Sequence, residues 1–314
     1  MSRNTENQPL PILTCPPEGQ GVNHWTFLAV LSCKQAGLSK EKAREIVCND
    51  TTRVDTSKAE AEIERALDKV YDSKSKRQKA QPKFPSRNPS LISRVIDLSI
   101  TVEELTNLSP CQIPSSSEEA VDRLFIGNPF LCVGKGLRRS WTLRKDQWIG
   151  RLEDKEFITP NPMTSEYGLT KVGKVSPHTA DNTGPRMHQI IECDPLKWED
   201  LDEDDPRKLL DSKDYLKQAK DEQAAIAAHL LKNDVNIACI VDSGGKSLHI
   251  WAFVQNLNEA AQFNLFQYAC GLGADHRMWR PFQFARLPGG LRESGVRQRI
   301  LYFNENFTSC GDAK

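Results

Sequence analysis

Two runs of strand-forming residues, Val235 to Val241 and Ser247 to Val254, are separated only by Asp242-Ser243-Gly244-Gly245-Lys246. A Gly-Gly pair in so short a spacer predicts a tight reversal, so the two runs must pair as one antiparallel hairpin. Helices and further strands surround it. Lys213 to Leu231 reads as a helix of about five turns, and Asn258 to Gly271 as another. His188 to Cys193 and Arg299 to Phe303 read as strands, as does the short apolar run Phe130 to Val133. Ser115 to Leu124 is a capped helix, with Ser116 or Ser117 as N-cap and Glu118 and Glu119 in its first turn. Asp97 to Leu108 holds a short helical piece, and an Arg- and Trp-rich loop runs through Trp148. Strands interspersed with helices and Gly turns describe a two-layer α+β domain from about residue 90 to 305.

Ahead of it the pattern is helical. Residues 23–72 form a small all-α unit: Trp25, Leu28, Leu31, Ile46 and Val47 recur at helical spacing, Gly37 separates two helices, and Ser39 caps the second. A third helix, about Ser57 to Tyr71, puts Ile63, Ala66, Leu67 and Val70 on one face. Residues 73–89 carry Lys74, Lys76, Arg77, Lys79, Lys83 and Arg87 among polar residues and prolines without an acid, which predicts an extended basic linker. Residues 1–22 and 306–314 are read as tails.

The 314 residues suffice for two domains. Lys+Arg and Asp+Glu are 42 each, so net charge names no partner. Mean hydropathy is −0.54, no stretch approaches the roughly 20 apolar residues of a membrane span, and Met1 to Asn7 is polar. The expectation is a cytoplasmic protein without a membrane partner. Nine cysteines at scattered positions include no C-x-x-C pair, which predicts reduced thiols and no structural zinc.

Chemistry concentrates in four segments. In Gln189-Ile190-Ile191-Glu192-Cys193-Asp194, residues two apart on a strand share a face, so Glu192 and Asp194 project together. Two adjacent carboxylates repel unless a cation lies between them, and oxygen ligands suit Mg²⁺ or Mn²⁺. By itself such a pair also fits a solvated strand end. Gly245-Lys246-Ser247 invites a phosphate-loop reading, but the glycine that motif needs five residues earlier is Ile240, and a strand follows where a helix should begin. The hairpin instead presents Ser243 and Lys246, with Ser247, His249 and Trp251 alternating along one strand face; a strand histidine is also a common structural group. The third segment is Gly273-Ala274-Asp275, and the fourth Arg286-Leu287-Pro288-Gly289-Gly290-Leu291-Arg292.

Taken in order, h-h-E-x-D, S-G-G-K-S-h-H-h-W, G-A-D and R-L-P-G-G-x-R resemble the archaeo-eukaryotic primase superfamily, nearest the primase-polymerase domains of phages, plasmids and mobile elements. The likeness extends through Leu131-Cys132-Val133-Gly134 and Phe157-Ile158-Thr159-Pro160-Asn161-Pro162-Met163, covering about Ser116 to Asn304. It implies an RNA-recognition-motif-like catalytic core with an N-terminal α/β layer, and a primase that copies single-stranded DNA from nucleoside triphosphates. It also implies two divalent metals on Glu192, Asp194 and Asp275, and His249 at the incoming phosphates with Ser243, Lys246 and Arg286 beside it. The first metal position, commonly Asp in the family, is Glu192 here. Lys135 to Arg151 is basic with interleaved tryptophans, so Arg138, Arg139, Trp141, Arg144 and Trp148 are candidate contacts to a template strand. A second basic set is Arg277, Arg280, Arg286, Arg292, Arg297 and Arg299, whereas the acidic run Glu199 to Asp205 reads as a solvated loop. No helicase motif occurs, so unwinding is expected from another chain. The alternative to an enzyme is a replication-initiator or DNA-binding module that keeps the fold without efficient synthesis.

Overall fold

The computed structural model describes residues 22–51, 56–71, 82–96, 100–193 and 213–308. The chain divides into two compact units, Met1–Pro82 and Lys83–Lys314. In the first, α1 (Val22–Gln35), α2 (Lys40–Asp50) and α3 (Thr56–Tyr71) pack around Val30, Cys33, Ala43, Val47, Ile63, Leu67 and Val70. Gly37, at φ 76°, takes the left-handed conformation that ends α1, and Ser39 Oγ accepts the Lys42 N–H at 3.3 Å to start α2. The apolar face anticipated for α3 is the buried one.

The second unit is mixed α+β with antiparallel sheets. It opens with α4 (Pro89–Ile96), α5 (Val102–Asn107) and α6 (Ser117–Leu124). Of the two serines that could cap α6 it is Ser116, whose Oγ accepts the Glu119 N–H at 3.1 Å. One sheet has the order β2-β1-β3-β9, from β1 (Phe130–Gly136), β2 (Arg139–Arg144), β3 (Phe157–Ile158) and β9 (Ala285–Arg286). A two-stranded ribbon, β4 (Gly168–Leu169) with β5 (Val175–Ser176), lies between these in sequence. The second sheet has the order β10-β7-β8-β6, from β6 (His188–Glu192), β7 (Ile237–Asp242), β8 (Leu248–Phe253) and β10 (Arg299–Phe303). Helices α7 (Lys213–Lys232) and α8 (Glu259–Gly271) follow β6 and β8 respectively. The two larger sheets share one core, in which Leu131, Val133 and Ile158 of the first join Ile190, Ile240 and Trp251 of the second.

β6 and β7 flank β8 and are both antiparallel to it, which makes them parallel to each other across the α7 crossover. Just after α8 the chain returns to the outer edge of β6, where Cys193 and Ala274 form an antiparallel bridge. The order is therefore β6-α7-β7-β8-α8 and then the Gly273–Asp275 segment, with β10 added beyond β7. The start of β6 is clamped by Asn161, which is fully buried: its Oδ1 accepts the Met187 and His188 N–H groups at 2.6 and 3.0 Å, and its Nδ2 donates to Pro281 O at 2.7 Å.

Two expectations change. The Arg- and Trp-rich stretch is a β1–β2 hairpin followed by a 3₁₀ turn, Lys145–Trp148. The basic stretch expected as a solvated linker through residue 89 has packed residues at its end. Phe84 lies against Phe263, Phe266 and Trp279 at centroid distances of 5.2–5.8 Å, and the Asn88 N–H donates to Gly271 O at 2.9 Å. Aromatic packing outweighs the charge pattern there. Among the described residues no helix is long and apolar enough to cross a membrane.

Candidate active site

Glu192, at the end of β6, faces His249 of β8 as its direct cross-strand partner. Its Oε1 accepts the Ser247 hydroxyl at 2.8 Å and lies 3.5 Å from His249 Nε2. The other ring nitrogen, Nδ1, lies 3.5 Å from the Arg286 backbone nitrogen, so both nitrogens of the ring are engaged. Burial pushes the Glu192 carboxyl up; the His249 charge, the hydrogen bonds from His249 and Ser247, and the Arg286 charge outweigh it and hold it down to about 2. The histidine, 4% exposed, thus orients a carboxylate as well as lining the site.

The hairpin beside this pair is fixed from three directions. Ser243 Oγ accepts the Gly245 and Ser247 N–H groups at 3.2 and 3.3 Å, so this hydroxyl shapes the turn. Asp242, almost wholly buried, accepts the Gly244 N–H at 2.9 Å and pairs with Lys220 at 2.9 Å and Arg299 at 3.1 Å. From α7, Gln223 donates to Lys246 O at 2.9 Å and accepts the Leu248 N–H at 2.7 Å. Lys246 is held half-buried at the tip.

Asp275 reaches the same strand end through its backbone, its N–H donating to Glu192 O at 2.8 Å. Its Oδ1 accepts the Arg277 N–H at 2.9 Å and starts the 3₁₀ turn His276–Trp279. Asp194, two residues beyond Glu192, lies outside the described residues, as does the acidic run 199–205. Among the described residues no three His, Cys, Asp or Glu side chains are grouped closely enough to hold a metal. Glu192 and Asp275 are hard oxygen donors on hydrogen-bonded segments, a chemistry that fits Mg²⁺ or Mn²⁺.

Arg286, on β9, extends over the Phe157 ring, 4.6 Å from its centroid, and its guanidinium donates to Glu156. Arg292 lies across the hairpin, with Nη1 3.4 Å from Ser243 O. Neither Glu156 nor the Ser247 bond to Glu192 was singled out from sequence. Ser247 carried a usable signal, since it shares the strand face of His249; a lone glutamate before a two-residue strand carries none.

The tryptophan-bearing segment separates into two roles. Trp148 is 3% exposed and its Nε1–H donates to Leu131 O at 3.1 Å, which makes it a core residue rather than a stacking surface. Arg144 is folded over the Phe130 ring at 3.8 Å and donates to Asn128 O at 3.1 Å. Trp141 is 47% exposed, with Arg138 and Arg139 exposed beside it. It walls an open groove of about 690 Å³ whose floor includes the edge of Trp148 and whose rim carries Arg151 and Lys155 beside Glu153 and Asp154.

Comparison with family models, with curated proteins and with solved structures finds no match to this chain.

Proposed function

We propose that this chain is a template-directed nucleotidyltransferase of the primase-polymerase kind, joining nucleoside triphosphates on a single-stranded DNA template. The observation that carries the reading is the convergence, at one end of one sheet, of Glu192, the Ser247–His249 strand and Asp275, beside a lysine-bearing Gly-Gly hairpin and Arg286. The order β6-α7-β7-β8-α8, closed by the Gly273–Asp275 segment along β6, supports an RNA-recognition-motif-like core, and the β2-β1-β3-β9 sheet supports the additional N-terminal layer.

Glu192 and Asp275, with Asp194, would hold two divalent cations. Bound there, such ions supply Lewis-acid activation of a primer 3′-hydroxyl and neutralise charge on the leaving pyrophosphate. The chain's own groups do the rest. Ser247 and His249 keep Glu192 ionised and aimed. Lys246 and Arg286 receive the triphosphate, so its charge meets fixed positive groups as it develops. Trp141, with Arg138 and Arg139, offers a stacking face and phosphate contacts to an unpaired strand. A helicase supplied by another chain would provide that strand.

The test is incorporation of labelled ribo- and deoxynucleotides on a circular single-stranded template, with Mg²⁺ or Mn²⁺ and then with chelator. The proposal expects products that require both template and cation. Template binding without any product, under either metal and either nucleotide set, would replace it with the replication-initiator reading.

A further inference from the structure

Glu156 is 7% exposed and tied into the sheet through its backbone. Its N–H donates to Gly134 O at 2.9 Å, and its carbonyl accepts the Leu287 N–H at 3.0 Å and Gln298 Nε2 at 2.9 Å. From that fixed base its carboxylate meets two arginines of the R-L-P-G-G-L-R segment. Oε1 accepts from Arg286 and lies 3.7 Å from Arg292 Nε, while Oε2 accepts the Glu293 N–H at 3.4 Å. One buried negative charge thus faces two positive ones. A guanidinium has five N–H donors in a rigid plane, and the contacts to Glu156 and Ser243 O use a minority of the ten. Phe157 under Arg286 and the hairpin under Arg292 fix the two planes.

The hairpin is shaped for this approach. A Cβ at Gly245 would stand 2.5 Å from Arg292 Nη1, and one at Gly244 3.4 Å from Arg292 Cδ. Glu156 offsets one of the two guanidinium charges, and the other faces Glu192 beside the Gly244–Gly245 turn. Fixed, planar, incompletely used donors of this kind suit the oxygens of a polyphosphate.

Resting on the nucleotidyltransferase reading, we infer that Glu156 is a positioning residue that holds Arg286 and Arg292 as a paired clamp, and that Arg292 joins Arg286 in receiving the phosphates of the nucleoside triphosphate. Glu156 itself touches no substrate. Its carboxylate lowers the net charge of the site, so simple Coulomb attraction predicts tighter anion binding when it is neutralised; the clamp predicts the reverse.

The experiment is calorimetric titration of the full chain with inorganic tripolyphosphate and with dATP, in chelator, for wild type, Glu156→Gln, Glu156→Asp and Arg292→Ala. Near-ultraviolet circular dichroism monitors the fold. The expected result is about a tenfold loss of tripolyphosphate affinity in Glu156→Gln, the scale of one hydrogen bond between charged groups, a partial recovery in Glu156→Asp, and a loss in Arg292→Ala. Folded Glu156→Gln that binds as wild type or tighter overturns the inference and leaves the nucleotidyltransferase reading standing. Should Glu156→Gln fail to fold, wild-type affinity in Arg292→Ala overturns it alone. Absence of binding by wild type to either probe overturns the inference together with the nucleotide site on which it rests.

Discussion

Trp141 and Trp148 stand seven residues apart in one basic segment and border the same groove, yet one is exposed and the other buried. Trp148 donates its indole N–H to Leu131 O inside the core, so Trp148→Ala should cost about 3–5 kcal/mol of stability. Trp141 is exposed, so Trp141→Ala should leave stability nearly unchanged and cost roughly 1–3 kcal/mol of single-strand binding. Denaturant melts and binding to a short oligonucleotide separate the two, and a stable Trp148→Ala protein that has lost strand binding would invert the assignment. Replacing Arg138 and Arg139 together should lower the salt slope of binding by about two, one phosphate contact each. Sequence could not divide these roles. Alternation shows which residues share a strand face, but which face is covered depends on the turn after β2, and that turn folds Trp148 underneath.

At the scale of elements, the β7–β8 hairpin and strand β6 carry the site, and each makes a stability claim. Gly244 has φ +70°, and a Cβ there would meet Val296 Cγ1 at 2.7 Å. Gly244→Ala should therefore lose about 1–2 kcal/mol from backbone conformation before any clash. A Cβ at Gly245 would displace the Arg292 guanidinium rather than backbone, so the cost of Gly245→Ala should fall on nucleotide affinity and little on melting temperature. A Gly244→Ala protein as stable as wild type would contradict the turn geometry. In β6, His188 is fully buried among Phe125, Trp251, Phe253 and Phe307, with Nδ1 on Pro160 O at 3.0 Å. Burial pushes its pKa down from 6.5 to about 4, against the opposing pull of the Pro160 carbonyl. The folded state therefore refuses a proton that the unfolded chain accepts. The stability this gives is complete above pH 6.5, declines as pH falls towards 4, and levels off below; the total is about 3 kcal/mol. Urea midpoints at pH 7, 6 and 5 should fall in wild type, with this component missing in His188→Gln; an unchanged slope in that variant would remove His188 as its source.

These strands were legible because their apolar runs are bounded by polar or turn-forming residues, Gly244-Gly245 above all, and β10 lies where Arg299 to Phe303 predicts it. Strand alternation put Ser247 and His249 on one face, but the Glu192–His249 register comes from the pairing of β6 with β8, which alternation within one strand does not fix. The Glu156–Arg286 contact is not legible in this way, because it joins residues 130 apart through the pairing of β3 with β9, each only two residues long. No local pattern encodes such a pairing.

For the molecule as a whole, the division at residue 82 makes a prediction about fragments. Residues 83–314 keep Phe84 in its aromatic cluster and should unfold as one cooperative unit. A fragment beginning at residue 90, the boundary that composition suggests, lacks Phe84 and should melt lower. Equal melting temperatures would return residues 83–89 to the linker. The central claim is that the carboxylates at the end of β6 support nucleotidyl transfer, and template-directed incorporation by Glu192→Gln and Asp275→Asn tests it most directly. Each substitution removes a charge while nearly preserving shape. Both variants should bind single-stranded DNA as wild type does while losing at least about a hundredfold in incorporation rate with either Mg²⁺ or Mn²⁺; wild-type rates in either variant would contradict the account.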